Sequence, residues 1–221
     1  MDVARLLSPF LPDPLAAEQV AALSRYLELL LRWNARINLT AVREPEQIVT
    51  RHFGESLFAA SRLLEPDSRV HAVDVGSGAG FPGLPLKIYA PQLRLTLIEA
   101  HNKKATFLKE AVRTLALDRV EVFAGRAEKY SQGAELVTLR AVERFESVLP
   151  VAAALLRRAG GEAGSGSREG SAGSAAARLA LLIGAAQSAA ARSLLPGFAW
   201  DSPIPIPQSA ARVLLVGHLS S

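Results

Sequence analysis

Along residues 15 to 33 the apolar side chains of Val20, Leu23, Leu27, Leu30 and Leu31 return at intervals of three and four. That period puts them on one face of an amphipathic helix. Pro45, in REPEQI, stands where a helix can begin, because its fixed φ and missing N–H suit a first turn. Ile48, Phe53, Leu57 and Leu64 carry the helical pattern on to about residue 64. Residues 1–66 are therefore expected to form an N-terminal helical cap.

Past EPDS the period changes. VHAVDV (70–75), LRLTLIE (93–99), RVEVFA (119–124) and ELVTLRA (135–141) are short runs rich in β-branched residues and leucine, and helix-length segments at 82–90 and 102–116 separate the first three. A helix near 145–157, a strand at 179–183, a helix at 184–195 and a strand at 211–219 follow. Strands alternating with helices imply right-handed crossovers. Residues 67–221 are thus predicted to be an α/β domain with a doubly wound, mostly parallel sheet, seven-stranded when FAWD (198–201) is counted. Residues 159–177, AGGEAGSGSREGSAGSAAA, contain six glycines and no large apolar side chain. Such a stretch cannot offset the entropy of ordering it and is expected to be a disordered insertion.

The first predicted strand runs into DVGSGAGFPG (74–83), which fits two glycine patterns. Gly78, Gly80 and Gly83 match the dinucleotide fingerprint G-x-G-x-x-G, whereas Gly76, Gly78 and Gly80 match a G-x-G-x-G loop. Either lets ligand atoms approach the backbone at a helix N-terminus. An acid at Asp74 would repel a pyrophosphate but suits an ammonium, which favours S-adenosylmethionine, with its amino group and cationic sulfur, over a nicotinamide dinucleotide. Glu99 ends the second strand, 25 residues on, and can accept both hydrogens of a ribose diol. Ala127 and Glu128, after the third strand, fall where an adenine would lie if the ligand crosses the carboxyl ends of the strands.

The motifs NARINLTAV (34–42), RHFGESL (51–57), DVGSGAGFPGLPL (74–86), IEAHNKKATFLKE (98–110), GRAE (125–128) and LRAV (139–142) occur in this order. Together they resemble the bacterial 16S ribosomal RNA guanine-N7 methyltransferase family, also called glucose-inhibited division protein B, over residues 20–158. The resemblance implies a class I, Rossmann-like methyltransferase fold and S-adenosylmethionine as cofactor. It also implies cofactor contacts by Gly76, Phe81, Glu99, Ala100, His101, Ala127, Glu128 and Arg140. The implied partner is 16S ribosomal RNA in the small ribosomal subunit. Arg36, Arg51, Lys103 and Lys104 lie within these motifs and are the candidates for RNA phosphates, a solvated helix start being the alternative for the lysines. His52 matches a cap histidine of the family and is read as a structural hydrogen-bond centre with Glu55 and Ser56. Two departures stand out: Glu55 replaces a usual aspartate, and Ile183 replaces a lysine that usually ends the fifth strand.

Composition narrows the chemistry further. The chain has no cysteine, which removes disulfides, thiolate metal sites and the cysteine nucleophile of pyrimidine carbon-5 methylation. LRAVERF stands where exocyclic-amine methyltransferases carry an Asn/Asp-Pro-Pro-Tyr/Phe loop. Guanine N7 remains a natural target, a lone pair with no proton to remove, so placement matters more than a base. Arg140, at the end of the fourth strand, is the candidate to position the guanine edge. The net charge of +4 and pI near 9.8 suit an anionic partner. Arginine outnumbers lysine 20 to 5, which base composition accounts for. No metal, no membrane span and no secretory leader are expected, and a cytoplasmic monomer is the default. A nicotinamide-dependent oxidoreductase and an RNA-binding assembly protein weakened by Ile183 are the alternatives.

Overall fold

A computed structural model describes residues 1–140, 144–161 and 177–219; most of the glycine-rich stretch expected to be disordered lies outside them. Helix α1 (Val3–Leu7) and a 3-10 turn (Ser8–Phe10) precede α2 (Ala17–Ile37), the long amphipathic helix the pattern predicts. Gln19 fastens both ends of an interaction there. Its Oε1 accepts the Ala16 amide at 2.9 Å, while its Nε2 donates to the Ile88 and Tyr89 carbonyls. Asn38 ends α2 at φ 55, in the left-handed region that asparagine tolerates better than most residues.

Pro45 opens a helix as expected, but the helix is not continuous. α3 (Pro45–Ile48) passes through a π-helical turn (Val49–Gly54) into α4 (Glu55–Leu63). Gly54 meets the ring of Phe10, where a Cβ would lie 2.6 Å from ring carbons. The N-terminal turn, too short to leave a periodic signal, is thus locked against the π turn.

The sheet runs in the order β3 (Val120–Ala124), β2 (Arg94–Glu99), β1 (His71–Val75), β4 (Leu136–Arg140), β5 (Arg178–Gly184), β8 (Arg212–Leu219), β6 (Phe198–Trp200). The five strands from β3 to β5 pair in parallel, and β8 is antiparallel to β5. A two-residue strand, β7 (Ile204–Pro205), adds an eighth to the seven foreseen. Helices α5 (Gly83–Tyr89) and α6 (Asn102–Thr114) join the cap helices on one face, while α7 (Phe145–Gly161) and α8 (Gln187–Leu194) cover the other. Alternation along each strand feeds both layers. Leu95 and Leu97 join the core under the cap, and Val73, Val75 and Ile98 join the core under α7. The cap helices bury Leu23, Leu30, Phe53 and Leu57 in the same cluster as Leu84, Leu95 and Leu214. Among the described residues, no helix is long and apolar enough to cross a membrane.

Candidate active site at the carboxyl edge of the sheet

Order reversal between β1 and β4 opens a crevice at the carboxyl ends of the strands, where open α/β sheets take their ligands. A cavity of about 640 Å³ occupies it. The turn leaving β1 forms its floor. Gly76, Gly78 and Gly80 all have positive φ, of 70°, 57° and 89°, a conformation glycine adopts without steric penalty. This selects the G-x-G-x-G register for the turn itself. Gly83 is needed for a different reason, since a Cβ there would stand 2.5 Å from Leu97 Cδ2 and 3.0 Å from Asp74 Oδ2.

Five amides of this turn are taken by acceptors within the protein. Those of Gly76 and Ser77 donate to the Ile98 carbonyl, those of Gly80 and Phe81 to the Ser77 carbonyl, and that of Gly78 to Glu99 Oε2 at 2.8 Å. At the start of α5 the Gly83 amide donates to Asp74 Oδ2 at 3.3 Å. A diphosphate needs free amides at that helix end. Here the protein's own carboxylate takes the anion's place, so the turn does not suit a nicotinamide dinucleotide.

Asp74 consequently differs from the expectation that it faces a ligand ammonium. It is fully buried and does not line the cavity; Thr138 Oγ1 donates to its Oδ1 at 2.7 Å. Burial raises its carboxyl to a pKa of about 6, opposed by hydrogen bonds from Thr138, Ser77 and the Gly83 amide. Gly80 also turns away, packed under Leu84 and the Tyr26 hydroxyl. Gly76, Gly78 and Phe81 do line the cavity, as do Glu99, Ala100 and His101 after β2 and Ala127 and Glu128 after β3. Glu99 accepts the Gly78 amide on one oxygen and the His101 amide, at 2.7 Å, on the other. Each oxygen keeps a second lone pair for a hydroxyl. This pair of acceptors fits the ribose hydroxyls of S-adenosylmethionine.

A family model described as rRNA small subunit methyltransferase G matches residues 19–162. The chain belongs to that family. A ribosomal RNA small subunit methyltransferase G from Xanthomonas campestris pv. campestris is 43% identical over 148 residues, 66% of this chain and 68% of that one. Its namesake from Streptococcus sanguinis is 42% identical over 128 residues, 55% and 54% of the two chains. Among solved structures, a SAM-dependent methyltransferase from Aquifex aeolicus superposes with a TM-score of 0.56 at 15% identity, covering 80% of this chain and 94% of that one. The ribosomal protein L11 methylase of Lactobacillus delbrueckii subsp. bulgaricus gives 0.58 at 10% identity, covering 77% and 79%. The fold is the class I, Rossmann-like fold of S-adenosylmethionine-dependent methyltransferases, and S-adenosylmethionine is the cofactor.

The cap closes the other side of the cavity. Arg140, from the end of β4, reaches across to it. One nitrogen, Nη2, lies 2.6 Å from the Arg51 carbonyl, 2.9 Å from Glu55 Oε2 and 3.0 Å from His52 Nδ1. Arg212 Nε lies 2.9 Å from the same Glu55 oxygen, so one buried carboxylate serves two guanidinium groups. The guanidinium of Arg140 also stands 5.7 Å from the centre of the Phe81 ring. His52 packs against that ring, tilted by 33° at 5.0 Å between centroids, and binds Thr40 Oγ1 through Nε2 at 2.7 Å. Burial, then the charge of Arg140, lower the pKa of His52 to about 3, against the Arg51 peptide carbonyl. His52 is therefore the hydrogen-bond centre expected, with different partners: its ring binds Thr40 and Arg140, and only its carbonyl binds Ser56.

Of the basic candidates, Lys104 lines the cavity, while Arg36, Arg51 and Lys103 are exposed outside it. Leu39 and Thr40 from the loop after α2, with Arg126 and Arg144, also line it. Sequence reasoning did not single these out, although NARINLTAV contained the first two. Ile183 is buried in the apolar cluster under α7, so a lysine there would have to enter a core.

Proposed function

We propose that the protein transfers the methyl group of S-adenosylmethionine to N7 of a guanine in 16S ribosomal RNA of the small subunit. As a member of the methyltransferase G family it is a ribosomal RNA methyltransferase; what supports the choice of atom is that His52, Asp74 and Glu99, the titratable groups around the glycine turn, are engaged within the protein. His52 is neutral and both its ring nitrogens are engaged, by Thr40 and Arg140. Asp74 is sealed beneath the turn, and both Glu99 oxygens hold backbone amides. Guanine N7 has no proton to lose, so a site that only orients its reactants suffices.

When bound, S-adenosylmethionine supplies an electrophilic methyl on a cationic sulfur. In this reading Glu99 holds the ribose hydroxyls, and Gly76 and Gly78 allow the close approach of the ligand to the backbone. Ala127 and Glu128 flank the adenine, with Ala100 and His101 beside the ribose. Phe81 and Arg140 form the wall between cofactor and cap. Arg36, Arg51, Lys103 and Lys104 take RNA phosphates. Incubation with labelled S-adenosylmethionine and unmodified small subunits, or their RNA, tests the assignment. Label recovered as 7-methylguanine is the expected result; label at another atom, or none in RNA, overturns it.

A further inference from the structure

We propose that Thr40 is a specificity-determining residue, its hydroxyl a donor fixed in the cavity wall for O6 of the target guanine, next to the N7 that is methylated. The inference deepens the guanine-N7 reading and rests on it; a count of lone pairs carries it. Arg140 Nη2 lies 3.0 Å from His52 Nδ1, and a guanidinium can only donate. That contact assigns Nδ1 as the acceptor and the ring proton of the neutral imidazole to Nε2. That N–H donates to Thr40 Oγ1 over 2.7 Å. The Val42 amide donates to the same oxygen at 3.2 Å.

A hydroxyl oxygen has two lone pairs and one proton. Here both lone pairs are engaged, so the proton is left to seek an acceptor. No group among the described residues takes it, and Thr40 lines the cavity. The surrounding loop holds the residue rigidly. Buried Asn34 accepts the Thr40 amide at 2.9 Å, Arg43 Nη1 donates to the Asn34 carbonyl at 3.0 Å, and Arg43 also binds the side chain of Asn38. Because His52 itself is held by Arg140, the direction of the Thr40 proton is set from β4, across the cavity.

Guanine presents N7 and O6 as adjacent acceptors, whereas adenine carries an amino donor where O6 would be. A fixed donor facing that position hydrogen-bonds guanine and leaves adenine with two opposed donors.

The test uses ligated 16S ribosomal RNA carrying guanine or 2-aminopurine, which keeps N7 and lacks O6, at the methylated position. The wild-type protein is expected to prefer guanine in kcat/KM by roughly 10- to 100-fold. Thr40→Val should reduce that preference by at least about tenfold, since it removes the hydroxyl and keeps the shape, while Thr40→Ser retains it. Calorimetric affinity for S-adenosylhomocysteine should be unchanged in both. A disturbed loop would slow both RNAs together, so the ratio isolates the hydroxyl. An unchanged ratio in Thr40→Val, with 7-methylguanine still formed, overturns the role of Thr40 alone; no 7-methylguanine from the wild type overturns the parent reading and this one with it. Should Thr40→Val fail to bind S-adenosylhomocysteine, Thr40→Ala is judged by the same ratio.

Discussion

The turns that leave β1 and β2 each carry a carboxylate near the end of a parallel strand, and the two have opposite fates. Asp74 points beneath its turn, where it takes the first amide of α5 and the Thr138 hydroxyl and never reaches the cavity. Glu99, the last residue of β2, accepts two amides at the rim and lines the cavity. The difference is one of reach and neighbours. Asp74 lies one residue inside its strand, under a helix whose N-terminal partial charge attracts it, whereas Glu99 has a longer side chain and only turn residues above it. One acid therefore shapes the loop and the other meets the ligand. Similar chemistry at adjacent strand ends does not imply similar function.

Substitutions at the two positions separate these roles. Asp74→Ala leaves the buried Thr138 hydroxyl and Gly83 amide unpaired, and is expected to lower folding stability by about 3 kcal/mol. Thermal melting without ligand reads this; an unchanged melting temperature with lost cofactor binding would place Asp74 at the ligand after all. The next effect is in pH. Because the folded-state pKa of Asp74 is raised to about 6 from 3.8, the fold binds its proton more tightly than the unfolded chain does. Its contribution is complete below pH 3.8 and is lost as the pH rises through 6. The stability of wild type relative to Asp74→Asn, which cannot titrate, should fall by roughly 2 kcal/mol between pH 4 and pH 7. A flat difference would mean that the carboxylate is better solvated than its burial implies.

Glu99→Gln should act on the ligand more than on the fold. An amide keeps one acceptor and loses the charge, so S-adenosylhomocysteine affinity is expected to drop roughly tenfold, measured calorimetrically. Equal affinity would remove Glu99 from the ribose. The smallest change belongs to Gly78→Ala. Its Cβ meets nothing closer than the Gly76 carbonyl at 3.8 Å, so only the strain of a positive φ remains, about 1 kcal/mol in a chemical denaturation curve. A much larger loss would show that the turn is packed from the cavity side as tightly as from below.

Amino-acid order alone determined the longer strands and helices and their order, because apolar periods of 3.6 and 2 are local properties of the chain. It located the glycine turn, Glu99 and the cavity residues after β2 and β3 for the same reason: those motifs follow strand ends, and strand ends of a parallel sheet converge. What it left open is where side chains point once helices cover the sheet. The inward direction of Asp74, the burial of Ile183, the meeting of Arg140 with Glu55, His52 and Arg212, and the exposure of Thr40 to the cavity all depend on contacts between segments tens of residues apart. No local pattern encodes such contacts, because each side chain's direction follows from which neighbour can satisfy its hydrogen bonds after the layers have packed.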